Sequence, residues 1–372
     1  MTVSSATDSA SFPYAILSVR QLMWRRFRRN RLAVAGVWIL LGLYLVSAFA
    51  GFVAPYGVRT THDQFALSPP HGLHFRDADG RFSLRPFVYG LESSVDRSTF
   101  RKIFTRIPEE TYPVRFLGRG VEYKLWGLIE TNRHLFTVEE PGVVFLLGTD
   151  RQGRDLFSRI LYGSQVSLTV GLLGVLLALV LGTVIGIVAG YFGGLLDSVI
   201  QRVIEVLLSF PQIPLWLALA TLVPPTWSSI RVYFGLSLVL SIVNWGGLAR
   251  QVRGMVYALR EEDFIRAARY TNCSLARIVL RHLLPNTLSH VLVVATLAIP
   301  QMILGETALS FLGLGIRPPM TSWGLLLSEA QHVRVVLQQT WLLIPSAFVI
   351  LTIICFNFMG DGLRDAADPF SQ

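Results

Sequence analysis

The chain has 372 residues, 52% of them hydrophobic and only 15% charged, against roughly 25% charged in ordinary soluble domains, and its mean hydropathy of +0.50 points to a membrane. The formal net charge is +9, but the basic residues collect at the edges of apolar runs with no helix-turn-helix, zinc finger or stacking platform beside them. That pattern excludes a nucleic-acid partner and gives the charge a topological meaning.

Residues 1–31 are polar and end in Arg20, Arg25, Arg26, Arg28, Arg29 and Arg31, directly before a long apolar run. A cleavable signal peptide has a shorter basic region and apolar core, so this run reads as a retained span despite Ala48, Phe49 and Ala50. Crossing a bilayer takes about 20 apolar residues. Six stretches qualify, at 32–54, 166–190, 198–222, 231–249, 288–312 and 341–359. Excess arginine marks the inner side, so the N-terminal segment, the polar stretch 250–286 and a tail at 363–372 are expected there together.

Between the first two spans lies the one large polar segment, 55–147, punctuated like strands and turns. Residues 74–76 and 81–84 flank Asp77, Ala78, Asp79 and Gly80; residues 112–117 and 121–126 flank Gly118, Arg119 and Gly120. Both read as hairpins, predicting a β-containing insert outside the membrane, with a short helix near 98–105. His62, His71 and His74 with Asp63 match no ligand spacing, so no metal site is predicted. Cys273 and Cys355 lie in a polar bend and in the last apolar run, which argues against a disulfide.

Within the spans, Gly182, Gly186 and Gly190 recur at four-residue intervals after Gly171 and Gly174, a pattern that lets helix backbones approach closely. Pro211 and Pro214 interrupt the third span and Pro300 the fifth. Glu205, Asn244 and Glu306 are polar residues in apolar surroundings. A charged group at the bilayer centre costs at least about 2.5–3.5 kcal/mol, so they are candidates for lining a pathway or for a structural role. Glu306, near the end of its run, is expected to be partly solvated.

The stretch 260–286 reads as two short helices meeting at a bend. Glu261, Glu262 and Asp263 suit the positive end of a helix dipole, and Phe264, Ala267 and Ala268 are expected on one small apolar face. Asn272 suits a left-handed helix terminus, Ser274 an N-cap. Leu275, Ile278, Val279 and Leu283 follow at helical spacing, and Pro285 is expected to limit continuation. Arg250, Arg253, Arg260, Arg266, Arg269, Arg277 and Arg281 fit equally well an ordinary basic loop. The helix-bend-helix is suited to being gripped by another protein.

The residues Arg266, Ala267, Ala268, Asn272, Leu284 and Pro285 resemble the "EAA" loop of bacterial binding-protein-dependent ABC importer permeases, with Arg266 in place of the Glu and Asn272 in place of the Gly. Residues 148–168, marked by Asp150, Gly153, Arg154, Asp155, Ser158 and Arg159, resemble the external lead-in of the "C"-type dipeptide/oligopeptide permeases, and 305–324 and 360–369 resemble two further signatures of that class. The resemblance implies an all-α polytopic membrane protein with six transmembrane helices of the type I ABC importer fold, carrying a β-containing insert between helices 1 and 2 and a permease core over 148–362. It implies docking of a cytoplasmic ATPase on the 250–286 loop. Arg154 and Asp155 are expected to belong to a surface network orienting the second span.

The implied partners are a homologous second permease subunit, two cytoplasmic ATPase subunits, an extracytoplasmic solute-binding protein and the lipid bilayer. The implied location is the bacterial inner membrane, with both termini cytoplasmic. The class points to peptides as substrate, ahead of oligosaccharides, nickel or opines. No GxxxxGK[ST] occurs, and Lys102 and Lys124, the two lysines, both lie in the insert; ATP and Mg are therefore expected on the partner subunits, with no cofactor on this chain. HExxH, CxxC and nucleophile-base constellations are absent as well, so the chain reads as no enzyme. The alternative is a proton-coupled secondary carrier relaying through Glu205 and Glu306, against which stand six spans without a visible inverted repeat.

Overall fold

The structure, a computed structural model, describes residues 19–76, 82–95, 97, 102–331 and 333–367. A short basic helix α1 (Val19–Arg29) leads into α2 (Arg31–Ala48), whose first turn is capped by Asn30 accepting from the Ala33 amide at 3.1 Å. A one-turn helix α3 (Ala50–Val53) ends the first span.

The insert then forms β1 (His74–Arg76), β2 (Phe82–Val95), β3 (Lys102–Phe116), β4 (Arg119–Leu125), β5 (Ile129–Arg133) and β6 (Phe136–Val138). An antiparallel sheet runs in the order β1-β2-β3-β6, and β4-β5 is a separate hairpin. The expected pairing of 112–117 with 121–126 is corrected: β3 pairs with β2 and β6, and β4 turns back on β5 instead. The turn that reverses the chain is at Trp126 and Gly127, both at positive φ, and Gly127 supplies the conformation a tight reversal needs. Residues 102–105 of the expected short helix are strand, paired with Glu92 through Val95 by backbone ladder bonds; 98–101 and the turn 77–80 lie outside the described residues.

The insert rests on the end of the first span. Trp126 Nε1 donates to the Ala48 carbonyl at 2.9 Å, the Leu135 amide donates to Phe52 at 2.7 Å, and the His134 ring meets the Ala54 carbonyl at 2.6 Å. Val88, Val114, Phe136 and Val144 make its small buried core.

The helical body follows as α4 (Leu156–Phe192), α5 (Gly194–Ser209), α6 (Gln212–Ala220), α7 (Ser229–Leu259), α8 (Asp263–Tyr270), α9 (Leu275–Ile278), α10 (Leu284–Phe311), α11 (Trp323–Ser328), α12 (Val333–Gln338) and α13 (Ile344–Ala367). Among the described residues five helices are long and apolar enough to cross a membrane, or six if the bent pair α5–α6 counts as one span. This is the helical architecture with a β-containing insert that the sequence led us to expect.

Helix α4 is the hub. A Cβ on Gly182, Gly186 or Gly190 would stand 2.7–2.9 Å from the carbonyl oxygens of Trp245, Ala249 and Arg253 respectively, so α4 and α7 run parallel with their backbones nearly touching. Gly171 and Gly174 face Ile303 and Met302 of α10 instead. Because α4 and α7 run the same way, the chain between them must cross back, and α5–α6 does so, bent by 93°. Pro211 lies at the break, where it has no ladder bond to lose, and Pro214 lies in the first turn of α6. Pro300 by contrast lies inside a continuous α10.

Several helices outrun the apolar stretches that announced them. Helix α4 begins at Leu156, not near 166, because Ser158, Arg159 and Ser164 are buried against protein rather than lipid. Helix α7 runs on to Leu259, and α13 to Ala367, so part of the expected tail is helical.

Candidate functional site

The end of α7 and the start of α10 hold α8 between them. Ile265 and Ala268 turn inward and pack with Val252, Val256, Ile278, Leu283 and Val291. Phe264, Ala267 and Tyr270 turn outward, Tyr270 at 90% exposure. The expectation that Ala268 shares the outward face with Phe264 and Ala267 is therefore corrected: it is 8% exposed and belongs to the chain's own core. Spaced at i, i+3 and i+6, the three outward residues share one stripe of the helix.

Asn272 follows at φ +58°, the left-handed terminus expected of it. Ser274 stands at the N-cap of α9, but its side chain makes no capping bond. Only Asp263 lies in the first turn of α8, with Glu262 as N-cap. Beyond α9 the chain does not stop at Pro285. A π turn at Val279–Leu283, where the Leu284 amide reaches back to Val279, carries the helix past the proline into α10. The wider turn accommodates a residue without an amide hydrogen, and Asn286 Nδ2 donates to the His282 carbonyl at 2.6 Å.

The basic residues here are largely engaged within the chain. Arg253 grips Asp197 of α5 through two contacts of 2.5 Å. Arg260 lies over Tyr257, and Arg269 over Tyr191. Arg266, standing where the importer loop has Glu, donates to Glu261 at 3.1 Å. That hydrogen bond holds the Glu261 carboxyl below its usual range and raises Arg266, although both side chains are more than half exposed and such a pair adds little stability.

At the opposite end of α4 the lead-in residues build a buried charge cluster. Asp150 is fully buried and accepts from the amides of Gln152 (2.7 Å) and Arg154 (3.0 Å), from Arg154 Nε at 2.7 Å and from Arg159 Nη1. Both arginines also reach Glu329, at 3.1 and 2.8 Å. Asp155 is not part of it; it caps α4, accepting from the Ser158 amide at 2.8 Å and hydroxyl at 2.7 Å. The expected surface network is thus an interior one, and Arg154 pairs with Asp150 and Glu329 rather than with Asp155. Burial pushes the Asp155 carboxyl up to about 7 against the pull of its hydrogen bonds, and the charge of Asp150 pushes the same way.

The three polar residues of the spans separate. Glu306, expected to be partly solvated, is completely buried and accepts from Ser310 at 2.7 Å and Ser167 at 3.1 Å. Ser167 in turn accepts from the Trp323 amide, so the carboxyl joins α4, α10 and α11. Asn244 bonds Gln212 at 2.7 Å and the Leu240 carbonyl, tying α7 to α6. Glu205 is exposed on α5 and pairs with Arg202. No group of three or more His, Cys, Asp or Glu among the described residues could hold a metal ion. His71 is buried and its pKa falls to about 4, through desolvation and the neighbouring charges of Arg106 and His74.

Asp197 and Glu329 escaped sequence reasoning. A carboxylate at the edge of an apolar stretch, as both are, is the only local trace of an ion pair whose partner is remote.

Comparison with known proteins finds relatives along the chain. The family described as "Binding-protein-dependent transport system inner membrane component" matches residues 182–371, and the "N-terminal TM domain of oligopeptide transport permease C" matches 18–70. The oligopeptide transport system permease protein OppC of Salmonella typhimurium is 46% identical over 228 residues, covering 60% of this chain and 71% of that protein. The dipeptide transport system permease protein DppC of Bacillus subtilis is 31% identical over 355 residues, covering 95% and 86%. Among solved structures, an inward-facing form of the MetNI methionine ABC transporter aligns with a TM-score of 0.40 at 19% identity, over 56% of this chain and 96% of that one. With the family match over 182–371 and a relative aligned along nearly its whole length, the chain belongs to the inner-membrane components of binding-protein-dependent transport systems.

Proposed function

We propose that the chain is one permease subunit of an ATP-driven importer, forming half of a transmembrane pathway for peptides delivered by an extracytoplasmic binding protein. Kinship with the oligopeptide and dipeptide permeases supports the peptide over oligosaccharide, nickel or opine. The observation that carries the transport reading is α8: an outward stripe of Phe264, Ala267 and Tyr270 on a helix rooted by Ile265 and Ala268 between two long spans. A cytoplasmic ATPase gripping that stripe pulls on α7 and α10 together. It drives the spans between outward and inward openings only to the extent that it binds the two states with different affinity.

In this reading the α8 end faces the cytoplasm with both termini, and the insert faces outside. ATP and Mg reside on two ATPase partners, and a homologous permease completes the pathway. The membrane is the bacterial inner membrane.

The test is co-purification in mild detergent. Wild type brings down an ATPase and a second permease. Ala267→Glu keeps the second permease and loses the ATPase, whereas Ala268→Glu lowers the thermal stability of the chain itself because it buries a charge. Recovery of the permease pair from wild type without any ATPase overturns the reading.

A further inference from the structure

Beside the buried charge cluster lies a cavity of about 370 Å³ whose polar walls are Arg59, Arg154, Arg159 and Thr321. Its charges do not cancel. Arg154 and Arg159 are balanced by Asp150 and Glu329, while Arg59, exposed at the cavity edge, has no hydrogen bond or ion pair among the described residues. Two polar groups on the wall are also unsatisfied: Arg159 Nε and Thr321 Oγ1 are buried without a partner, in side chains that are 2% and 3% exposed. Buried polar atoms left unpaired are costly, and their concentration at one cavity marks it as a place where a ligand, rather than the chain, completes the bonding.

We propose that this cavity is a carboxylate-binding site and that its occupant is the C-terminal carboxylate of a peptide entering the pathway. A guanidinium presents a planar pair of donors that matches the two oxygens of a carboxylate, and Arg154 and Arg159 already hold the carboxylates of Asp150 and Glu329, each through a single oxygen. The rest of the wall, Val58, Pro318, Pro319 and Met320, is apolar. It suits the organic body attached to a carboxylate and disfavours a fully hydrated inorganic ion.

The volume lies within the range of small-ligand pockets, about 300–1,000 Å³. The site also stands where the packed helices end. Ser229 Oγ, at the first residue of α7, donates to the carbonyls of Arg317 at 3.1 Å and Pro318 at 3.3 Å, joining the Pro318–Thr321 wall to the start of α7. A ligand there touches segments that lead into three spans. The proposal rests on the peptide reading for the source of the carboxylate, and on the geometry alone for the site.

The experiment uses the full chain with its partner permease in lipid nanodiscs and measures affinity for tri-alanine, for tri-alanine with an amidated C-terminus and for inorganic phosphate, in wild type and Arg59→Gln. Arg59 is exposed and outside the charge cluster, so the variant is expected to melt with wild type. The expected result is a preference of at least about ten-fold for the free carboxylate over the amide, most of it lost in Arg59→Gln, with phosphate a poor competitor. Equal affinity for acid and amide, an unchanged preference in Arg59→Gln, or phosphate competing as well as tri-alanine overturns the site.

Weaker association of the binding protein in Arg59→Gln, with no preference for the acid of tri-alanine, likewise overturns the proposal and assigns Arg59 to the contact with that partner. Peptide uptake in the same membranes separates the two readings: uptake without a carboxylate preference removes this site and leaves the transporter, and absence of uptake removes the transporter.

Discussion

Asp155 shows how one buried side chain ties this fold to pH. It caps α4 through Oδ2, while Oδ1 is buried without a partner, and that desolvation outweighs the favourable cap and lifts the carboxyl to about 7 from 3.8. A folded-state pKa above the unfolded one means that the native state holds the proton more tightly. The stability this contributes is fully present below about pH 4 and is lost as pH rises through about 7. Asn is as good an N-cap as Asp and does not titrate. Melting curves of Asp155→Asn and wild type should therefore diverge across that window, the wild type losing more stability as pH rises; parallel profiles would show that Asp155 is ionised throughout. The neighbouring cluster is a different case. Arg159, 2% exposed, is held by Asp150 and Glu329, and removing one partner of such a group costs on the order of 3–5 kcal/mol because a buried charge is stranded. In the sequence the Asp150 to Arg159 stretch was visible as a motif, but its pairing was not. Glu329 is 170 residues from Arg159, and no local spacing predicts such a partner.

Among the elements, the seam between α4 and α7 is the least forgiving. A side chain on Gly186 meets the Ala249 carbonyl at 2.7 Å and the Val252 Cβ at 2.8 Å, both on a helix that cannot move alone. Gly186→Leu should lower the melting temperature in detergent, by the roughly 1–3 kcal/mol of overpacking or more. Gly247→Ala, where a Cβ meets nothing within 4 Å, should melt within experimental error of wild type or slightly above it. Equal behaviour of the two variants would contradict the close approach. The glycine spacing announced this seam correctly, since only small residues at one helical face allow it. Helix α8 was harder to read. It is eight residues long, and Phe264, Ile265, Ala267 and Ala268 are apolar over a broad arc, so periodicity leaves open which pair is core and which is surface. The packing of α7 and α10 decides, taking Ile265 and Ala268 inward.

At the scale of the molecule, the insert and α8 occupy opposite ends of α4, which at 37 residues and about 1.5 Å per residue is roughly 55 Å long. Two separate tasks at two ends are the natural reading: contact with a binding protein or roofing of the cavity at one end, ATPase docking at the other. Replacing residues 74–138 by a short linker should leave ATPase co-purification intact and reduce uptake that depends on the binding protein. Unchanged uptake would remove any transport role for the insert.

The apolar spans, six when the bent pair α5–α6 counts as one, their approximate places and the β character of the insert were legible from apolar run length and turn residues. The physical reason is that lipid leaves the backbone few ways to satisfy its hydrogen bonds, so a span of the right length is nearly obliged to be a helix. The loop motif likewise singled out the stretch that folds into α8, where we propose that a partner docks. Tertiary structure alone decided the rest: that β4 pairs with β5, that Ala268 is core, that Glu306 is sealed by serines, and that the lead-in charges form an interior cluster with Glu329. Each of these depends on which remote segment arrives beside a residue, and short-range pattern carries no information about a neighbour contributed by another helix.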